Sequence, residues 1–424
     1  MNVIKQYRTK VIQSLSNRFV RNLGWLSAAE LVIRVSRLIT TVFLARFLGE
    51  YDYGLAAIVL TTHELVQVFS ETGINEKLIQ ADESEIQALS QSAYWLNWTI
   101  SLLLFFMQCV AAFVIARFYR DPNLIGPICA TAFVYLIVPF GNVQSSLIKR
   151  ENRLKVIALS KGAGVSVANI MSLVLAFLGF GVWSFAIPVV ATAPLWVFIN
   201  VSNHKWRPTW KFTTQRWGQI FSFGKHVLGF EFLKVAQNNL DYLIIGRFLS
   251  IEALGLYYFA FNAGLGISLS VIKSIRMAIL PHLSAFKREP DILKSQYIKS
   301  LKVIAAIVIP LAILQSSLAP FYVPLVFGQK WIPAIPILML ICLSAIPRPF
   351  ADAASQLLVA MGKPKIVLIW AVTFTTIFTT AILIAVRWQA LGVAIAVLGV
   401  HAVALPLFTV WGSRYGLRVA RGKL

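Results

Sequence analysis

Five polar residues, Ser27, Glu30, Arg34, Arg37 and Thr41, recur at steps of 3, 4, 3 and 4 within a run of Leu, Ile, Val, Phe and Ala. At helical spacing they share one face. A second stripe, Glu231, Lys234, Asn238 and Asp241, steps by 3, 4 and 3, and a third, Ser344, Arg348, Asp352 and Ser355, by 4, 4 and 3. His63, Gln67 and Ser70 fall on one face of another apolar run, with Glu64 and Glu71 on its shoulder, and Lys273 and Arg276 stand one turn apart in a fifth. The chemistry open to these groups is limited. Guanidinium groups form bidentate contacts with phosphate or carboxylate. Buried carboxylates and His63 can take up and release a proton or cation as their surroundings change. Amides meet hydroxyls.

These groups must be carried by helices in a membrane. The chain has 424 residues, is 58% hydrophobic and only 13% charged, and its mean hydropathy is +0.73. A soluble domain averages about 25% charged residues. Only helices or a closed barrel can span a bilayer, and apolar runs of about 20 residues without two-residue alternation specify helices. Apolar stretches fall near 22–45, 54–75, 92–116, 124–147, 157–178, 182–201, 224–246, 254–280, 300–327, 333–358, 366–386 and 391–412. They predict twelve spans with both termini on one side. A charge facing hydrocarbon costs roughly 2.5–3.5 kcal/mol or more, so the stripes must turn toward a wet or protein-lined cavity.

With the termini cytoplasmic, 26 of the 39 Lys and Arg residues lie in cytoplasmic segments, and only Arg46, Arg117, Arg120, Arg247, Lys330 and Arg387 in opposite loops. The positive-inside rule therefore fixes the orientation and accounts for the net charge of +22 without nucleic acid. Cys109, Cys129 and Cys342 sit in apolar runs without metal spacing, and no metal or cofactor motif is present. The first 21 residues are basic and lack an apolar core with a cleavage site, so no signal peptide is expected.

An internal repeat organises the chain. Ala45-Arg46-Phe47-Leu48 is echoed by Gly246-Arg247-Phe248-Leu249, and Gly54-Leu55 by Gly255-Leu256, at an offset of 201. Pro139-Phe140-Gly141-Asn142 is echoed by Pro349-Phe350-Ala351-Asp352 at 210. Two parallel six-span lobes follow: a basic N-tail over 1–21, an N-lobe over 22–201, a basic connector over 202–223, a C-lobe over 224–412 and a basic C-tail over 413–424. Pro347 and Pro349 should break the tenth span. Other readings of the polar residues stay open. Glu30 with Arg34, and Arg348 with Asp352, also suit structural ion pairs. Lys161 and Lys273 also suit snorkelling to an interface. His63 also suits a satisfied buried histidine.

At Leu44-Ala45-Arg46-Phe47-Leu48-Gly49, Tyr53-Gly54, Gly73 and Ile79-Gln80, the chain resembles the polysaccharide exporters, the O-antigen and exopolysaccharide flippases of the multidrug, oligosaccharidyl-lipid and polysaccharide (MOP) exporter superfamily. The resemblance covers the whole chain. It implies two helical bundles in a V, and transfer of undecaprenyl-pyrophosphate-linked oligosaccharide across the bacterial cytoplasmic membrane by alternating access. It also implies coupling, in some members, to protons or sodium, and work beside a polysaccharide polymerase and other biosynthesis proteins. The peptidoglycan-precursor flippases of the superfamily hold pyrophosphate with arginines on spans one, two and eight. The matching residues here are Arg34, Arg37 and Arg276, while span two offers only His63. On this reading Arg34, Arg37, Arg276, Lys234 and Arg348 meet the pyrophosphate, Gln67 and Asn238 meet sugar hydroxyls, and Glu30, Glu231, Asp241, Asp352 and His63 are candidates for ion coupling. Membrane lipids surround the protein, no nucleic acid is involved and no covalent chemistry is required. An organic-cation exporter would prefer acidic cavity walls, whereas basic residues predominate within these spans. A membrane polymerase or glycosyltransferase commonly carries a large extracytoplasmic loop, and every loop here is short.

Overall fold

A computed structural model describes residues 25, 28–70, 73–209, 211–287 and 289–422, leaving out the side chains of 76, 219–227, 230, 231 and 265–278. The described residues are mostly helical, with turns and short loops between helices and no strand among them. In chain order the helices are α1 (28–47), α2 (Glu50–Gln67), α3 (Ile74–Gln80), α4 (Ile86–Tyr119), α5 (Ile125–Ala132), α6 (Val134–Ile137), α7 (Pro139–Arg150), α8 (Leu154–Phe177), α9 (Trp183–Ala191), α10 (Ala193–Ser202), α11 (Trp217–Phe248), α12 (Ile251–Ala285), α13 (Pro290–Tyr322), α14 (Ile335–Ser344), α15 (Arg348–Ala360), α16 (Pro364–Ala385) and α17 (Gln389–Ala420).

By length and hydropathy, six described stretches can cross a membrane, or seven if the pair Pro122–Ile137 and Pro139–Arg150, bent by 56°, is one broken span. One of the six, Pro364–Ala420, contains both α16 and α17. The described parts of the remaining apolar stretches are also mainly helical. Among them, α1 carries Glu30, Arg34 and Arg37, and α2 carries Glu50, Asp52 and Glu64, and such charges lower a helix's hydropathy.

The helices are built inside out relative to a soluble protein. On α4, Leu103, Phe106, Val110, Phe113 and Val114 are exposed, while Asn97, Ser101 and Gln108 are buried. That arrangement suits a helix whose solvent is lipid and whose polar groups must be satisfied within the protein. Proline sets the breaks. Pro139 begins α7 at the 56° bend, and α14 ends at Ser344 before Pro347 and Pro349 start α15. The expected interruption of the tenth apolar stretch is therefore present.

The chain divides into two compact units. The first comprises residues up to 40 together with 62–232; the second comprises 41–61 and 233–424. In the first, Ile74, Leu78, Leu89, Tyr94, Val143 and Leu147 form one core, and Val66, Leu104, Ala132 and Tyr135 another. Trp206, in the non-helical stretch 204–209, and Trp217, at the start of α11, pack on the first of these, and Trp217 Nε1 donates to Ser92 O at 3.2 Å. In the second unit, Leu283, Leu293, Tyr297, Val308, Ala353 and Leu357 form the main core.

Within the second unit, residues 41–61 are held by a reciprocal helix crossing. A Cβ on Gly54 would overlap the Ile251 carbonyl oxygen, and a Cβ on Gly255 would overlap that of Glu50. Only glycine permits so close a backbone approach. Hydrogen bonds flank the crossing. Arg46 donates through Nε to Val326 O at 2.9 Å and through Nη2 to Leu325 O at 2.8 Å. Trp331 Nε1 donates to Ala45 O at 2.7 Å, and Lys330 Nζ to Arg46 O and Leu48 O at 3.1 and 2.7 Å. Tyr53 packs edge-on against Trp331, with ring centroids 4.9 Å apart.

Gly54→Ala should therefore destabilise the purified protein by about 1–3 kcal/mol, the usual cost of forced overpacking. Gly164→Ala, where nothing lies within 4 Å of the added carbon, should not. Thermal unfolding in detergent compares the two directly.

Candidate functional site

Three polar assemblies stand within otherwise apolar helices. The first lies at the start of α1. Arg34 Nε is 3.7 Å from Glu30 Oε1, and Lys161 Nζ of α8 is 3.5 Å from Glu30 Oε2. All three groups retain substantial solvent exposure, so the pairs add little stability. The packed face of this helix carries Ile33, Thr40 and Leu44. It is tied to α8 by Asn169 Nδ2, which donates to Ser36 Oγ at 2.7 Å. Arg37 is exposed.

The second assembly is buried in α2, α4 and α5. His63 Nδ1 is 3.3 Å from Gln108 Oε1. Gln108 Nε2 donates to Ile128 O and Thr131 Oγ1 at 2.9 and 2.8 Å. The Gln108 amide thus holds the His63 ring in one orientation. Gln67, one turn on, is exposed and lines a cavity of about 280 Å³ inside the first unit.

The third belongs to the second unit. Asp241 is buried and accepts from Tyr257 Oη at 2.8 Å and from the Tyr242 backbone N–H at 3.0 Å. Arg348, at the start of α15, lies within electrostatic range of Asp241, Tyr257 and Asp352, and stands 6.0 Å from the centre of the Phe261 ring. His401 stacks on Phe378 at 5.6 Å and directs Nδ1 to Ser344 O at 3.2 Å, closing the break between α14 and α15. On α11, Lys234 is half-buried and Asn238 exposed. The adjacent Asn239 is buried, and its Oδ1 accepts from Thr61 Oγ1 at 3.0 Å.

The structure thus joins Glu30 with Arg34, and Asp241 with Arg348 and Asp352, and places Arg34, Arg37, Gln67 and His63 in the first unit. The side chains of Glu231, Lys273 and Arg276 lie outside the described residues, as do Ser27 and Glu71. Uncharged partners were missed from sequence: Gln108, Tyr257, Asn169 and Asn239. Their signal was available as amides and a tyrosine within apolar helices. Among the described residues, no three His, Cys, Asp or Glu side chains form a group able to hold a metal ion.

Outside the apolar runs, Glu50, Asp52, Glu252 and Lys330 form a charged cluster beside the glycine crossing. Burial pushes the Lys330 ammonium below its usual range, against the pull of Asp52 and Glu50. Burial raises the Glu50 carboxyl, helped by Glu252 and opposed by Lys330. Arg46 serves the same end of the molecule: it donates to the two carbonyls next to Phe327 instead of facing a ligand.

The family described as polysaccharide biosynthesis protein matches residues 43–336, a stretch that includes the glycine crossing and its flanking clasp. The chain belongs to that family. It is 24% identical to the teichuronic acid biosynthesis protein TuaB of Bacillus subtilis over 365 residues, covering 84% of this chain and 74% of TuaB. It is 24% identical to the lipopolysaccharide biosynthesis protein WzxC of Escherichia coli over 385 residues, covering 88% and 76%. Among solved structures, the lipid II flippase MurJ in an inward closed conformation aligns with a TM-score of 0.72 at 14% identity, covering 94% of this chain and 90% of MurJ. An inward-facing multidrug resistance MATE transporter aligns with a TM-score of 0.69 at 15% identity, covering 92% and 96%. The chain is thus a polysaccharide biosynthesis family member with several helices able to span a membrane, and its fold is shared by MurJ and a MATE transporter.

Removing the Tyr257 hydroxyl should expose how much the buried Asp241 depends on it. Tyr257→Phe is expected to lower stability by about 1–3 kcal/mol, the range for hydrogen bonds to charged groups. The loss should largely vanish in an Asp241→Asn background, measured as a double-mutant cycle of thermal unfolding.

Proposed function

We infer that this exporter is a flippase for polyprenyl-pyrophosphate-linked oligosaccharide, the repeat unit of an O-antigen or exopolysaccharide, in the bacterial cytoplasmic membrane. The observation that carries this reading is the pairing of the family with the Arg34–Arg37 face of α1. That face is exposed at Arg37 and half-buried at Arg34, within a mainly apolar helix on which Glu30 pairs with Arg34. A cationic face on a membrane helix suits a diphosphate, whose charge must be neutralised before it crosses hydrocarbon. The names of TuaB and WzxC point to cell-surface glycans, and the fold is one that a lipid-linked precursor flippase uses.

The chain makes twelve spans as two parallel six-span repeats, with both termini cytoplasmic. Two observations support this. The element order recurs: the long α4 and α13 are each followed by a short 3₁₀ segment, preceded after α13 by a π-helical turn, and then by a broken helical stretch, α5–α7 and α14–α15. The glycine crossing is reciprocal under the 201-residue offset, with Gly54 on Ile251 and Gly255 on Glu50. Such reciprocity is what a pseudo-twofold relation between repeats produces.

Transport then needs no bond made or broken. The diphosphate binds the Arg34–Arg37 face, with Arg276, Lys234 and Arg348 adding positive charge, while Gln67 and Asn238 meet sugar hydroxyls. The polyprenyl chain stays in lipid. Two conformations exchange, and cargo shifts their populations through its different affinity for each. Asp241, with Arg348 and Asp352 beside it, is the leading candidate for proton or sodium coupling, and Glu30, Glu231 and His63 are further ones.

In cells lacking the gene, the Arg34→Ala/Arg37→Ala double variant should restore surface polysaccharide about a hundredfold more slowly than wild type, or not at all. Two charge-assisted contacts at about 1.5 kcal/mol each give that figure. Normal export at normal membrane abundance would remove the phosphate-binding role. Asp241→Asn should abolish the dependence of transport on a proton or sodium gradient in vesicles; an unchanged ion dependence would exclude this residue from coupling.

A further inference from the structure

The cavity of about 280 Å³ in the first unit is not accounted for by pyrophosphate binding. Its walls come from the end of α2 and from α3, α4, α6, α7 and α10, all in one unit. The 56° bend shapes it, because Val134, Tyr135 and Val138 line it immediately before Pro139 turns the chain. Gly141 lets α10 approach α7, with the Trp196 ring 3.1 Å from where a Cβ would stand, and so seats Trp196 in the wall.

The lining chemistry is specific. Nine of the twelve lining residues carry amide, hydroxyl or amine groups, and none is acidic. Asn97 is only 8% exposed and lines the cavity, and its Nδ2 has no hydrogen-bond partner among the described residues. A buried donor left unsatisfied costs about 1–3 kcal/mol, so a bound group is expected to meet it. Ser101 lies one turn from Asn97 on the same face, and Ser145 faces them from α7; both are buried and line the cavity. Lys149 is exposed and contributes the one cationic group of the lining.

We propose that this cavity binds a single pyranose ring of the glycan, with Asn97, Asn142 and the two serines on its hydroxyls and Trp196 and Tyr135 against its apolar face. Amides supply a donor and an acceptor side by side, which matches vicinal hydroxyls, and an aromatic wall matches the C–H face of a sugar. The volume lies near the lower end of small-ligand pockets, about 300 Å³, which admits one ring and excludes an oligosaccharide. A polyprenyl chain would leave the amides unsatisfied, and an organic cation would find no carboxylate. Lys149 suits a carboxylate substituent, so a uronic acid is the favoured sugar. The site is separate from the Arg34–Arg37 face; its assignment rests on the glycan reading only for the choice of ligand.

Saturation-transfer NMR on the full chain in neutral phosphatidylcholine nanodiscs tests it. The probes are methyl glucoside, methyl galactoside, N-acetylglucosamine and glucuronate, with glycerol as control. At least one sugar should show saturation transfer that glycerol does not, with glucuronate strongest. The signal should fall at least fivefold in Asn97→Leu and in the near-isosteric Asn97→Asp, which removes the donor with little change of shape. It should persist in Arg34→Ala/Arg37→Ala, so that loss of the phosphate site and loss of the sugar site read out separately. No transfer to any of the four sugars, or transfer undiminished in Asn97→Asp, would reduce the cavity to a water-filled space and overturn the proposal.

Discussion

The close approach of backbone at Gly54 and Gly255 is the constraint on which the second unit depends. Neither position admits a Cβ, so α2 and α12 meet carbonyl to Cα. The contact fixes the hairpin 41–61 in the second unit although the chain on either side of it belongs to the first. The surrounding clasp satisfies carbonyls of Ala45, Arg46, Leu48, Leu325 and Val326 with three side chains, Trp331, Lys330 and Arg46. In a membrane protein such carbonyls are costly to leave unpaired, which explains why long basic and indole side chains serve as donors there. The chain passes between units at 40–41, 61–62 and 232–233. Two of these passages lie within the helices that bear charged stripes: Arg34 and Arg37 stand just before the first, and Lys234 and Asp241 just after the last.

The polar groups divide by environment. Those of α1, Glu30, Arg34 and Arg37, are exposed or half-buried. Those around His63 and Asp241 are buried and held by fixed uncharged partners, the accepting Gln108 Oε1 and the donating Tyr257 hydroxyl. A buried ionisable group with such partners is expensive to place and constrains how its helices pack. The break between α14 and α15 puts Arg348 at a helix start close to Asp241, and His401 answers the Ser344 carbonyl freed by the same break.

Much of this was legible in the sequence, for physical reasons that also set its limit. Charges stand out in apolar helices, so the stripes on α1, α11 and α15 were visible from spacing alone. Proline announces a break, and Pro347 with Pro349 marked one. The offset of 201 pointed to Gly54 and Gly255 as equivalent, but that the two helices press on one another is a tertiary fact which no spacing encodes. The arginine of the motif shared with polysaccharide exporters likewise gave no sign that it binds carbonyls of a segment about 280 residues away. Uncharged polar residues were harder to read. Asn97, Gln108 and Asn142 are ordinary in composition, and only packing shows which of them faces a cavity. Between the neighbours Asn238 and Asn239, a rotation of about 100° decides exposure or burial, and the sequence does not specify it.

Proteoliposomes loaded with a fluorescent polyprenyl-pyrophosphate oligosaccharide test whether this chain alone moves a glycan lipid across a bilayer, by following the fraction of glycan that an external glycosidase can reach. The protein should raise the accessible fraction from about half, the share in the outer leaflet, toward completion. An accessible fraction that stays at the level of protein-free liposomes would contradict transport by this chain.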